Sequence, residues 1–121
     1  NVVMFRDRRK GIRRILQIAE FEADSDEARA NIIYRWSPEE DKLMKHSESS
    51  RFFEDIGRNT GMSQKEINSD LAEKQKIISW FLKNNIRDLE SFGKVMSLYY
   101  KNKEFLLNAI NKNSINTILG K

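Results

Sequence analysis

At about residue 49 the spacing of apolar residues changes period, and that change limits the fold more than any other feature of the chain. Before it lie short apolar runs rich in β-branched and aromatic residues. After it, apolar residues recur at helical spacing. The expected fold is therefore α+β: a short antiparallel β-meander followed by a bundle of about four helices. In domain terms, residues 1–47 form the strand segment, 48–113 the helical bundle and 114–121 a tail that is loose or docked.

Residues 2 to 5, VVMF, read as a first strand, and Gly11 sits in a charged turn. Residues 12 to 19, IRRILQIA, fit a second strand of about eight residues. The polar stretch 22–30, EADSDEARA, reads as a hairpin loop. Residues 31–36, NIIYRW, read as a third strand. A turn around Pro38 leads to a return strand over 42–46.

In the second part, Ser49 or Ser50 can cap a helix carrying Phe52, Phe53 and Ile56 that ends near Gly61. Ser63 and Glu66 have the spacing of a capping box. The long helix after them carries a stripe at 67, 71, 78 and 82, with 77 and 81 beside it. Asp88 caps a helix expected to turn Leu89, Phe92, Val95, Met96 and Tyr99 inward. Asn102 caps a last one through Phe105, Leu106, Ala109 and Ile110.

Composition excludes several chemistries. The 121 residues suit one domain and contain no cysteine, so disulfides, thiolate metal sites and cysteine nucleophiles are ruled out; a reducing cytoplasm fits. No stretch has the ~18 apolar residues of a membrane span. The single histidine, His46, makes a zinc site improbable and reads as a surface residue. The five glycines, at 11, 57, 61, 93 and 120, do not form the G-x-x-x-x-G-K-S/T cradle that holds a triphosphate. The acidic groups at 24–27 and 39–41 do not extend into a calcium loop. No catalytic and no metal-binding residues are expected. The aromatic residues fall on apolar faces and read as core.

The net charge of +4 is local: residues 5–14, FRDRRKGIRR, hold six basic residues and one acid. The remaining 16 basic and 17 acidic residues nearly cancel. Such a patch suits DNA, RNA, nucleotide phosphate or an acidic protein surface, or is simply a solvated turn. Residues 52–81 fit a helix-turn-helix, with Ser63, Gln64 and Lys65 as base readers. Against that, the second helix stays apolar to Leu82, and Lys65, Lys74 and Lys76 are balanced by Glu66, Asp70 and Glu73. A packed helical pair is the better account, nucleic acid is disfavoured, and a small DNA-binding domain remains the alternative.

Four motifs in order bring a family into view. They are Arg13-Arg14-Ile15-Leu16-Gln17-Ile18-Ala19-Glu20, then Tyr34-Arg35-Trp36-Ser37-Pro38-Glu39-Glu40-Asp41, then Gly61-Met62-Ser63-Gln64-Lys65-Glu66-Ile67, and Ile86-Arg87-Asp88 ahead of Tyr99-Tyr100. In this succession the chain resembles, from about Val2 to Leu107, the C-terminal part of the archaeal type II/type IV secretion-system ATPases, the motors of type IV pili and the archaellum. The resemblance implies a hexameric parent that uses ATP and Mg²⁺ at the cytoplasmic face of the membrane and contacts a membrane platform protein. Residues 2–46 would close its RecA-like core, and 49–113 would be its helical end. Because the phosphate-binding and acidic boxes are missing here, activity would belong to the parent. Arg13 and Arg14 are the residues the resemblance would turn toward a neighbouring subunit or a nucleotide, with strand-edge salt bridges as the alternative. The start at Asn1 suggests a fragment, and bare strand edges then predict a dimer or strand swap through residues 2–19.

Overall fold

A computed structural model of the protein describes residues 2–7 and 10–120, without the side chains of Phe5 and Asp24. Arg8 and Arg9 of the basic run lie outside the described residues.

The fold is α+β, an antiparallel sheet followed by helices. Four strands follow one another as a meander: β1 (Val2–Asp7), β2 (Ile12–Asp24), β3 (Glu27–Ser37) and β4 (Lys42–Lys45), with β1 and β4 at the edges. Five helices follow: α1 (Phe52–Thr60), α2 (Gln64–Lys83), α3 (Leu89–Lys101), α4 (Lys103–Asn111) and α5 (Ile115–Leu119). The chain forms two compact units, Asn1–Gln64 and Lys65–Lys121. The change of period at 48 marks where strands give way to helices, while the compact units divide later, so α1 groups with the sheet.

In the first unit, Gly11 takes φ +65° in the β1–β2 turn, a conformation that side chains with a Cβ resist. The β2–β3 hairpin is far longer than its sequence suggests. Residues 22–30 are strand on both sides of a turn at Ser25 and Asp26, not a loop. The ladder there is held by backbone pairing and by polar cross-strand neighbours, Glu22 opposite Arg29 and Glu20 opposite Asn31. Small alanines at 23, 28 and 30 alternate there with charged residues, a pattern too weakly apolar to read as strand in sequence. Among the described residues of this unit, only Ala19 is buried, at 5% exposure. Val2, Met4, Ile15, Phe21, Leu43, Met44 and Phe52 are exposed.

The second unit has a proper core. Ile77, Trp80 and Phe81 of α2, Val95 and Tyr99 of α3, Leu106 and Ile110 of α4 and Leu119 of α5 pack together. Residues 115–119 are therefore helical and docked, because Leu119 completes this cluster. Two of the sequence-predicted caps form in this unit. The Asp88 carboxylate accepts from the Ser91 N–H at 2.8 Å, and the Asn102 side chain accepts from the Phe105 N–H at 3.2 Å. The inward faces differ from expectation. On α2, Ile67 is buried but Leu71, Ile78 and Leu82 are exposed. On α3, Val95 and Tyr99 are buried, yet Leu89 is 83% exposed and Phe92 is also exposed. On α4, Leu106, Ala109 and Ile110 are buried and Phe105 is not. Helix α2 carries two adjacent apolar stripes, and packing of α3 to α5 selects the one through Ile77, Trp80 and Phe81.

Candidate functional site

The two arginines singled out by sequence are neighbours on β2 and have different surroundings. Adjacent residues of a strand point to opposite faces, and burial along 12–16 alternates accordingly, with Arg13 and Ile15 outward. Arg14 is committed. Its Nε donates to Asp41 Oδ1 at 2.6 Å and its Nη2 to Asp41 Oδ2 at 2.8 Å, a two-pronged ion pair. Trp36 Nε1 donates to the same Asp41 Oδ1 at 2.9 Å. Asp41 holds this position from the β3–β4 turn with φ +51°, a left-handed conformation that aspartate tolerates better than most residues. The hydrogen bonds from Arg14 and then from Trp36 hold the Asp41 carboxyl at about 2, against an ordinary 3.8, and Asp41 in turn raises the Arg14 guanidinium. Arg14 thus ties β2 to the turn before β4.

Arg13 is exposed and lies directly across from Arg6 on β1. Like charges facing each other across an antiparallel pair destabilise it. Neither side chain has an ion-pair partner among the described residues. Of the basic run, Arg6 and Arg13 are therefore exposed neighbours on adjacent strands.

Two further polar centres were not anticipated. The first is Glu20, whose carboxylate sits at the start of α1. Glu20 Oε1 accepts from Ser50 N at 2.5 Å, from Ser50 Oγ at 2.9 Å and from Asn31 Nδ2 at 2.9 Å. Its Oε2 accepts from Ser49 Oγ at 2.8 Å and from Phe52 N at 3.1 Å. Burial pushes this carboxyl up, but the Ser50 N–H and the Asn31, Ser49 and Ser50 side chains outweigh that and hold it at about 2. The Ser49 hydroxyl also accepts from Phe52 N at 3.0 Å, but the N-cap position itself is Arg51, whose side chain makes no capping bond, so the serine supports the helix start from outside the N-cap. A carboxylate that caps a helix from 32 residues away gives no local sequence signal.

The second centre joins three helices. The Tyr99 hydroxyl lies 2.6 Å from Asp70 Oδ1 and 2.8 Å from Glu73 Oε2. Lys74 pairs with Asp70 at 2.7 Å and Lys103 with Glu73 at 3.1 Å, and both ammonium groups lie over the Tyr99 ring. Burial, then the Asp70 and Glu73 hydrogen bonds, push the Tyr99 phenol far above its ordinary value, so it stays a donor. Lys74, then Tyr99, lower the Asp70 carboxyl. The Asp70–Lys74 pair has the (i, i+4) spacing that sequence can reveal, but Tyr99 and Lys103 join only through packing. Tyr99→Phe is expected to lower stability by about 1 kcal/mol, measured by urea denaturation, because two carboxylates lose their shared donor. An unchanged midpoint would show the hydroxyl to be idle.

The remaining sequence candidates are separate from these centres. His46 is exposed, and its backbone N–H donates to Ile33 O at 2.7 Å. Ser63, Gln64 and Lys65 stand at the start of α2, whose second half contributes Ile77, Trp80 and Phe81 to the helical core. The donor set does not fit a Mg²⁺–nucleotide site. Among the described residues no three carboxylates or histidines converge, Gly57 lies within α1 and Gly61 caps its C-terminus, and Arg14 is held by Asp41. No step of nucleotide chemistry is assigned to these residues. No helix among the described residues is long and apolar enough to cross a membrane. No protein-family model matches the chain, and no curated protein matches it.

Proposed function

We propose that the chain is the non-catalytic C-terminal part of a hexameric secretion or pilus-assembly ATPase. Its first unit contributes strands that close the parent's core, and its helical unit contributes contacts to subunits or to a membrane platform protein at the cytoplasmic face. ATP and Mg²⁺ would be bound by the parent, outside these residues. The observation that carries the reading is the sheet. It exposes Val2, Met4, Ile15, Phe21, Leu43 and Met44 and buries only Ala19 among its described residues. A meander this apolar is suited to packing within a larger body. The motif order from Arg13 to Tyr100 supplies the identity of that body.

The test is the coding sequence directly upstream of Asn1. A G-x-x-x-x-G-K-S/T loop in the same reading frame is the expected result, and a stop codon immediately before this segment would overturn the proposal. The purified chain is also expected to turn over no ATP above a buffer blank, and measurable turnover would sink the non-catalytic assignment. Duplex DNA retarded by the chain at about 50 mM salt would instead favour the helix-turn-helix alternative.

A further inference from the structure

Helix α2 carries a second apolar stripe that the core of its own unit leaves uncovered. Ile78 and Leu82 stand one turn apart on it and are 53% and 71% exposed. The start of α3 extends this face with half-exposed Phe92 and with Leu89, more exposed than any other large apolar side chain among the described residues. Between the two helices lies an open groove of about 280 Å³. Ile78 and Phe81 of α2, Leu89 and Phe92 of α3 and residues 86–88 of the connection line it. The groove is held in shape before any partner arrives. The Phe81 and Phe92 rings pack with centroids 5.8 Å apart, Ile86 N–H donates to Phe81 O at 2.9 Å, and Asp88 caps α3.

We propose that this face joins two copies of the chain about a two-fold axis. One patch holds both a hollow and the side chains that fill one, Leu89 at the edge of the groove and Leu82 one turn beyond Ile78. A surface with both parts is complementary to itself. A copy related by a two-fold axis sets its leucines in the groove and receives the other's in return. The area is sufficient. Ile78, Leu82, Leu89 and Phe92 leave on the order of 450 Å² of apolar side chain in water, a patch of the size that marks functional surfaces. With residues 86–88 and Glu90 at its margin the face reaches ~600 Å² per copy, the lower end of specific interfaces. The margin carries charges of both signs, Arg87 beside Asp88 and Glu90, so two copies meet without net repulsion. The contact closes at two copies and does not rest on the function proposed above. At this size the association is weak, and its apolar centre makes it insensitive to salt.

The experiment is sedimentation equilibrium of the full chain at about 0.5 mM, enough to populate a dimer of sub-millimolar affinity. Wild type is expected to exceed monomer mass, equally at about 0.1 M and about 1 M salt, because apolar burial is not screened. The variant L82E/L89E is expected to have monomer mass and unchanged circular dichroism, since both side chains are exposed. A second measurement does not depend on that variant folding. The chain has no cysteine, so Arg87→Cys places a single thiol at the groove. A two-fold contact brings this thiol close to its own counterpart, and a bismaleimide is expected to trap a covalent dimer. Lys65→Cys, about 20 Å along α2 from Ile78, is expected to stay single. Wild type at monomer mass, association lost at high salt, or association that L82E/L89E leaves intact overturns the proposal. So does cross-linking no greater at 87 than at 65. None of these outcomes alters the upstream reading frame, so failure here leaves the proposed function to its own test.

Discussion

Leu106→Ala lowers the stability of the helical unit by about 3 kcal/mol, the cost of lost apolar transfer plus the cavity that remains. Leu106 has 0% exposure and lies within the cluster of Ile77, Trp80, Val95, Tyr99, Ile110 and Leu119, contributed by all four helices of the second unit. Rigid secondary structure surrounds it, so little collapse can fill the gap. The chain has two tryptophans, Trp36 in the first unit and Trp80 in the second, and their indole signals in NMR separate the two units during a urea titration. The Trp80 signal is expected to disappear at lower urea in the variant. Leu89→Ala is the control. That side chain is 83% exposed, and its loss is expected to stay within about 0.5 kcal/mol. Equal losses at the two sites would contradict the assignment of the core.

Replacing Glu20 with alanine removes the acceptor at the start of α1 and is expected to cost the first unit about 2 kcal/mol. The same carboxylate predicts a pH dependence. Its folded value of about 2 lies below the ordinary 4.5, so the folded state favours the ionised form. The stability it contributes is complete above pH 4.5 and is lost as pH falls toward about 2. Asp41, at about 2 against 3.8, acts in the same direction, and lowered Asp70 does so in the other unit. Glu20→Gln isolates one contribution. The difference between wild-type and variant urea midpoints, read from the α1 amide signals, should narrow as pH drops from 4.5 to about 2. A constant difference across that interval would mean that the charge of Glu20 does not hold the helix.

Much of the framework is legible in the chain itself. Local chemistry suffices for Asp88 and Asn102 as helix caps, for Gly61 at φ +73° closing α1, and for the switch from strands to helices near residue 49. The candidate site is only half legible. Arg13 and Arg14 stand out by charge, but which of them is engaged depends on Asp41, 27 residues away in the β3–β4 turn.

The sequence by itself determined the order of strands and helices and the starts of α3 and α4, because caps, turns and periodicity act over a few residues. The tertiary structure alone decided which of two apolar stripes on α2 faces inward, leaving Ile78 and Leu82 outside, and that Leu119 turns the last residues into a docked helix. It also decided that the polar stretch 22–30 extends as strand and that Glu20 caps a distant helix. These outcomes depend on partners remote in sequence, and a stripe of apolar residues is equally good helix whichever neighbour covers it.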